Sequence, residues 1–346
     1  MAGLLFDLLL EVAARHDPDV VPLLQSKATE SAITPNLLAR TLQAQGMWFQ
    51  LLSIAEQNAA MRRRRAAEDE RGYAALRGTF AQVMADAVNS GVAAEQLRAI
   101  LQRLRIRPVI TAHPTEAKRV TVLEGHRRIY RGLMELESPR WTRRERADLI
   151  QRLRNEIELL WLTGELRLEK PTVAQEVAWG LHFFNETLFE SVPALLEKLD
   201  RALRQSYPGE RFEITPFFQF GAWIGGDRDG NPLVTNEVTR QTLQANRAAS
   251  LSRYRTRIME LVHSLSLAES VTSAPAVLRD ALGQALERSG DAKAIAARNR
   301  GEPFRQYLVC ILRRLDATVA CGAAVPRQQG SYRDAGELAA ELRLLE

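Results

Sequence analysis

Two short apolar runs in this chain each end abruptly in glycine, proline and charged residues. The run at 217–220 leads into 221–232, which reads Gly-Ala-Trp-Ile-Gly-Gly-Asp-Arg-Asp-Gly-Asn-Pro. Upstream, the run at 108–110 leads into 111–116, which reads Thr-Ala-His-Pro-Thr-Glu. An apolar run that stops at turn-forming residues is typical of a β-strand. The sequence therefore predicts two strands whose ends deliver polar groups to one active site.

The rest of the chain has the periodicity of helices. Residues 145–170 carry the clearest stripe, which includes Leu149, Leu153 and Ile157, and helical spacing returns from Thr235 to the last residue. We therefore expect a mainly α fold with a few strands. Two strands are too few for an independent sheet, and the sequence stops within a helical pattern, so we expect more protein to follow.

Charge does not single out a nucleic-acid binder. The chain has 346 residues, with 47 Lys and Arg against 42 Asp and Glu, a formal net charge of +5. The run Arg62–Arg65 could be a nucleic-acid patch, but acidic residues follow at 68–70, and we favour a solvated helix face. The mild positive charge suits anionic small molecules, and we predict no nucleic-acid partner.

Compartment and membrane signals point to the cytoplasm. Cys310 and Cys321 are the only cysteines, which excludes a disulfide scaffold and favours a reducing compartment. The apolar stretch at 3–10 lacks a preceding basic segment and contains Asp7, so we interpret it as a short amphipathic helix and not as a secretion signal. No stretch approaches the roughly 20 apolar residues of a membrane span. We predict a cytoplasmic protein with no membrane partner.

His113 is the candidate general base. Pro114 disfavours a helical conformation at His113, so its imidazole is expected just before the first turn of the next helix. A helix N-terminus attracts anions and biases a nearby histidine toward its neutral form, which a general base requires. The alternative is that His113 only caps this helix.

The glycine-rich segment is the second candidate element of the site. Gly225, Gly226 and Gly230 can adopt positive φ angles and turn N–H groups toward an anion. Between them lies the charged run 227–229 (Asp-Arg-Asp), which would be costly to bury unpaired. The spacing matches neither a calcium-binding EF-hand loop nor a dinucleotide-binding fingerprint. A rigid structural turn is the alternative.

Together, the segments 111–116 and 223–232 resemble the two N-terminal signature stretches of phosphoenolpyruvate carboxylase, in the same order. Weaker similarities run through 52–56, 161–172 and 302–305. The resemblance covers nearly the whole chain but only about the first third of the family's usual length. It implies an N-terminal helical region at 1–107. It also implies that 108–346 is the start of a catalytic TIM-like α/β barrel, truncated at its C-terminus.

By this resemblance, the protein joins bicarbonate to phosphoenolpyruvate and forms oxaloacetate and phosphate with Mg²⁺ or Mn²⁺. His113 matches the family's catalytic histidine, which takes the proton of the carboxyphosphate intermediate. Trp223 matches a tryptophan that walls the apolar side of the substrate pocket. We assign substrate binding to Trp223, Arg228, Asp229 and Arg313. The family assembles as a homo-oligomer, a tetramer at full length.

The sequence also departs from the family pattern. The family's metal-binding carboxylates lie beyond the matched part, so we assign no metal ligand to this chain and expect it to be inactive alone. An arginine that the family has after the Pro-Phe-Arg segment is replaced by Leu312, and Arg313 follows one place late. The alternative for Arg313 is a solvated helix face. The alternative for the chain is a non-catalytic relative that binds phosphorylated metabolites.

Overall fold

The computed structural model describes residues 1–27, 33–111, 119–163, 171–322 and 330–345. These residues are mainly helical, which confirms the predicted class. They form two compact units that interleave along the chain. The first comprises 1–106, 113–170 and 194–217, and the second comprises 107–112, 171–193 and 218–346. The division at 107/108 into a helical region and a barrel region stays a prediction.

The first unit is built from helices, several of which share one hydrophobic core. Its helices are α1 (Ala2–His16), α2 (Val20–Leu24), α3 (Pro35–Arg71), α4 (Phe80–Asn89), α5 (Ala94–Arg103), α6 (Val120–Leu136) and α7 (Arg143–Leu162), with a 3₁₀ turn at Tyr73–Ala75. The shared core is formed by α1, α2, α3, α6 and α7. It includes the fully buried Leu9, Leu51, Leu133 and Ile157, which lie on α1, α3, α6 and α7. Removing such side chains from water is the main stabilising contribution to the unit.

Helix α7 shows how the sequence pattern becomes structure. Thr142 accepts a hydrogen bond from the Glu145 backbone N–H, and the Glu145 side chain accepts one from the Thr142 N–H, which makes a capping box at the start of the helix. The predicted stripe is buried, including Leu149, Leu153 and Ile157. The helix begins two residues before the predicted start, and residues 164–170 of the prediction lie outside the described residues.

The arginine run occupies the exposed end of α3. Arg62–Arg65 are exposed, and Arg62 forms an ion pair of 3.2 Å with Glu137 at the end of α6. The run is therefore a solvated helix face, as favoured from the sequence. Gly72 ends α3 with a φ of 80°.

The second unit combines a two-stranded ladder with long helices. Its strands are β1 (Val109–Ile110) and β2 (Gly221–Ala222). Its helices are α8 (Val173–Phe183), a π-helical turn at Phe184–Leu188, α9 (Phe189–Ser206, which continues into the first unit), α10 (Asn236–Ser264), α11 (Ala276–Ser289), α12 (Ala292–Arg298), α13 (Pro303–Ala320) and α14 (Ala335–Arg343). The helical structure predicted from Thr235 onward is confirmed, and the described helices there are separated near Pro275, Gly290 and Gly301.

The extended segment is less regular than its sequence suggests. The apolar run at 217–220 is predicted to belong to a strand, but the strand of this segment is Gly221–Ala222, directly after the run. Pro216 has no N–H to donate, and such a residue interrupts a ladder. The predicted helix that begins at Pro114 lies outside the described residues, and the described helix α6 begins at Val120.

The core of the second unit lies between α10, α11 and α13. Ile258, Leu278, Leu308, Ile311 and Leu315 are buried there, each at 3% exposure or less. Across the described residues, no helix is both long and apolar enough to span a membrane.

Helix α14 is attached to α13 through a charged cluster. The Glu337 carboxylate accepts hydrogen bonds from the Arg333 backbone N–H (3.0 Å), the Arg333 side chain and the Arg314 guanidinium (3.0 Å). Arg314 also donates to Glu341 (2.6 Å) and lies 4.0 Å from the centre of the Tyr332 ring. The hydrogen bonds from Arg333, with that from its backbone N–H foremost, and the positive charges of Arg333 and Arg314 lower the pKa of Glu337 to about 2.

Replacing Glu337 is expected to make stability less dependent on pH. A carboxylate whose pKa is lower in the folded state stabilises the fold above its unfolded pKa, and this contribution is lost as pH falls toward 2. Glu337→Gln should therefore lower the free energy of unfolding by about 1–2 kcal/mol at pH 7 and have a much smaller effect near pH 2. Urea titrations at both pH values measure this difference. The exposed Glu287→Gln is the control, and an equal loss for both variants at pH 7 contradicts the argument.

Candidate active site

The two strands pair in parallel, so the segments that follow them start at the same edge. Val109 is paired with Gly221, and Ile110 with Ala222. The Gly221 N–H donates to the Pro108 carbonyl (2.9 Å), and the Trp223 N–H donates to the Ile110 carbonyl (3.0 Å). Parallel strands run in one direction, so Thr111 and Trp223 both lie at the carboxyl edge of the ladder. In open parallel sheets this is the edge at which ligands bind.

The glycine-rich segment after β2 is a series of tight turns. The N–H groups of Gly226 and Asp227 both donate to the Trp223 carbonyl, at 2.9 and 2.8 Å. The Asp227 carboxylate then accepts from the Asp229 N–H (3.1 Å), and the Asn231 side chain accepts from the Leu233 N–H (3.1 Å). Asp and Asn favour such side-chain turns because their short side chains reach the backbone two residues on. The predicted turn is therefore present.

Gly225 is the conformationally restricted residue of this segment. Its φ of 70° lies in the left-handed region, and a Cβ atom there would lie 2.1 Å from Thr242 Oγ1 on α10. The positive φ angles predicted for Gly225 and Gly230 are confirmed, whereas Gly226 does not have one. Only glycine fits at position 225 without strain. The start of the turn therefore lies directly against α10.

The charged residues of the turn are exposed. Asp227, Arg228 and Asp229 all face solvent, so the expected cost of burying them does not arise. The Arg228 guanidinium lies 3.5 Å from Thr239 Oγ1, a long and weak contact. Trp223 is 59% exposed. These four side chains are accessible to a ligand at the edge of the ladder.

A cavity of about 250 Å³ lies beside the ladder, between α8, the π-helical turn and α10. Most of its wall is apolar and includes Ile110, Ile224 and the aromatic rings of Phe184, Phe189 and Phe220. The centres of the Phe184 and Phe220 rings are 5.1 Å apart. The polar part of the wall is Thr242, Asn246 and Ser250 on α10.

Sequence reasoning did not identify this cavity. The three polar residues of α10 are spaced four apart, which places small polar side chains on one helix face, and this spacing was the available signal. The aromatic residues gave no comparable signal, because the π-helical turn decides which of them face the cavity.

Glu190 connects the aromatic wall to α10. Its carboxylate forms ion pairs with both Arg253 and Arg257. The hydrogen bond from Arg253 is the main cause that lowers the pKa of Glu190. Glu190 directly follows Phe189, so this contact holds the start of α9 against α10.

Arg313 lies in a different part of the second unit. Its guanidinium forms an ion pair with Asp291 and lines a separate cavity of about 580 Å³, together with Tyr307, Cys310 and Arg314. Burial raises the pKa of Cys310 to about 11 and that of Tyr307 to about 12. The two cavities share no wall residue.

His113, Glu116 and Lys118 lie outside the described residues. Within the ranges that the structure describes, no three or more His, Cys, Asp or Glu side chains are grouped so that they could hold a metal ion.

Comparison with known proteins gives one consistent family. The model of the phosphoenolpyruvate carboxylase family matches residues 14–346. A phosphoenolpyruvate carboxylase of Methylorubrum extorquens is 57% identical over 343 residues, which cover 99% of this chain and 37% of the relative. One of Azorhizobium caulinodans is 36% identical and is matched over 95% of this chain and 36% of its own length. The chain thus spans little more than a third of the length of these curated relatives.

The tight contact at Gly225 predicts a large difference between two neighbouring glycines. Gly225→Ala combines a strained φ with a clash against Thr242, and we expect it to lower the free energy of unfolding by about 2–4 kcal/mol. Gly226→Ala is the matched control, because its Cβ would come no closer than 3.8 Å to any atom. We expect the control to change stability by only about 0.5 kcal/mol. Urea unfolding measures both, and equal effects would show that Gly225 does not anchor the turn.

Proposed function

We propose that this chain, which belongs to the phosphoenolpyruvate carboxylase family, supplies the catalytic histidine and a substrate-binding turn for the carboxylation of phosphoenolpyruvate. The products are oxaloacetate and phosphate. The observation that carries the proposal is the parallel pairing of β1 with β2. Because the strands are parallel, two segments begin at the same edge of the ladder. One contains His113, and the other contains Trp223, Arg228 and Asp229. The ladder is proposed as the start of a TIM-like barrel.

The proposed reaction has two stages. A bicarbonate oxygen attacks the phosphorus of phosphoenolpyruvate and the bond to the enol oxygen breaks, which gives carboxyphosphate and the enolate of pyruvate. Carboxyphosphate then releases carbon dioxide, and the methylene carbon of the enolate attacks it to form oxaloacetate. His113 takes the proton of carboxyphosphate in this stage, and the proton leaves with phosphate.

The exposed residues of the turn suit a substrate that carries two anionic groups, a phosphate and a carboxylate. Arg228 supplies positive charge, and Trp223 supplies an apolar surface at the ladder edge. An apolar wall is useful because water would protonate the enolate and hydrolyse carboxyphosphate. Asp229 is proposed to take part in substrate binding with them.

A divalent cation, Mg²⁺ or Mn²⁺, is proposed for the whole enzyme. Its ligands are proposed to lie in the part of the relatives that this chain does not match, and no step is assigned to the cation here. Bicarbonate as co-substrate, the homo-oligomer and the cytoplasmic location stay predictions. We further propose that this chain alone does not turn over substrate.

Arg313 stays a prediction as a substrate contact. A phosphate would compete with Asp291 for its guanidinium. If Arg313 binds the phosphate, Arg313→Ala in the chain extended to the length of its relatives raises KM for phosphoenolpyruvate roughly tenfold or more, as expected for a charge-assisted hydrogen bond, and Asp291→Ala does not. Equal, small effects of the two variants on KM would assign Arg313 to the ion pair alone.

The catalytic assignment is tested with the chain extended to the length of its relatives. Oxaloacetate formation with Mg²⁺ and bicarbonate should fall about 10²–10⁴-fold in His113→Asn, the range that a positioned proton-transfer group contributes. The exposed His263→Asn on α10 is the control and should retain activity.

A folded, extended protein without turnover contradicts the proposed function. If calorimetry then shows that this protein binds phosphoenolpyruvate without metal, the alternative holds, and the chain is a non-catalytic relative that binds phosphorylated metabolites.

A further inference from the structure

One residue of α8 contacts the ends of both strands. A Cβ atom built at Gly180 would lie 3.1 Å from Ile224 Cδ1 and 3.9 Å from Ile110 Cγ2. Ile110 is the last residue of β1, and Ile224 is the second residue after β2. The helix therefore approaches both strands at the points where they end, and it does so at a residue without a side chain.

The first residues of the turn after β2, Ile224 and Gly225, are held from two sides. Ile224 is 8% exposed and packs over Gly180 of α8, while the next residue, Gly225, lies against Thr242 of α10. Residues 226–230, which follow Gly225, are exposed, and the described side-chain contact of Arg228 is weak. The direction in which the turn leaves the ladder is therefore set mainly at Ile224 and Gly225.

We infer that Gly180 is a positioning residue for the turn that follows β2. Because Gly180 has no side chain, α8 can lie against Ile110 and Ile224. The distance between α8 and these two residues sets where Trp223 and the charged turn lie relative to the end of β1. The expected effect on turnover rests on the proposed function. The effect on the position of Trp223 does not.

A single methyl group is enough to test the inference. A contact of 3.1 Å between carbon atoms is shorter than their optimal separation of about 3.5–4.0 Å, so Gly180→Ala must displace Ile224 or the helix by a few tenths of an ångström. Ile224→Val removes the Cδ1 methyl, which is the atom in conflict. The double variant should therefore restore the original position.

The readout is the ¹⁹F NMR spectrum of this chain labelled with 5-fluorotryptophan. The chain has five tryptophans, so the signal of Trp223 is assigned with Trp223→Phe. Gly180→Ala should shift or broaden the Trp223 signal, and Gly180→Ala with Ile224→Val should return it. Trp48, Trp141 and Trp161 lie in the first unit and should keep their signals. Trp179 neighbours the substitution and is not used.

The matched control is Gly283→Ala. Gly283 is also a helical glycine of the second unit, on α11, but a Cβ there meets no atom within 4 Å. It should leave the Trp223 signal unchanged. An unchanged Trp223 signal in folded Gly180→Ala overturns the inference. If Gly180→Ala does not fold, the double variant must recover folding, and its failure to do so overturns the inference as well.

Turnover is then measured in the chain extended to the length of its relatives. Displacing the proposed substrate-binding residues of the turn by a fraction of an ångström should lower kcat/KM for phosphoenolpyruvate about tenfold in Gly180→Ala, and the double variant should restore it. If the Trp223 signal moves and kcat/KM does not change, the positioning role stands and the substrate-binding role proposed for the turn fails. The two failures are therefore distinguishable.

Discussion

The hydrogen bond from the Trp223 N–H to the Ile110 carbonyl is the contact on which the candidate site depends. It closes the parallel ladder at its carboxyl edge and fixes the register in which two segments, more than a hundred residues apart in sequence, start side by side. The ladder is only two residues long in each strand. Its geometry must therefore be maintained by the helices around it.

Two helices supply that support by opposite means. α8 approaches the ladder at Gly180, where nothing projects from the helix, whereas α10 presents the Thr242 side chain to a glycine of the turn. Each contact pairs a glycine with a larger partner, so the backbones come close together. Close packing of this kind tolerates little change in volume, because protein interiors contain few voids that could absorb it.

The sequence predicted those parts of the structure that follow from local rules. The buried stripe of α7 and the positive φ angles of Gly225 and Gly230 follow from side-chain periodicity and from the conformational range of glycine. The charged turn was also recognised, because polar residues after an apolar run mark the end of a strand.

The parts that sequence reasoning missed depend on contacts between distant segments. The pairing of Arg313 with Asp291, the contact of Glu190 with α10 and the closeness of Gly180 to Ile224 all require the fold to be known. Helical spacing alone is equally compatible with an Arg313 that faces solvent and has no such partner. Tertiary packing, which no local pattern encodes, decides which of these side chains meet.

The π-helical turn at Phe184–Leu188 has a consequence for how the aromatic wall can change. One wider turn accommodates an additional residue, which rotates everything downstream by about 100° relative to a regular helix. Val177, Leu181 and Phe184 already share a helical face, and this rotation brings Phe189 onto it. Converting the turn to a regular α-helix without removing a residue would turn Phe189 away from the cavity, whereas deleting one residue from the turn would restore a regular helix and keep Phe189 on this face. The position of Phe189 in the wall thus depends on the helical geometry of this one turn, without exchange of any amino acid that touches the cavity.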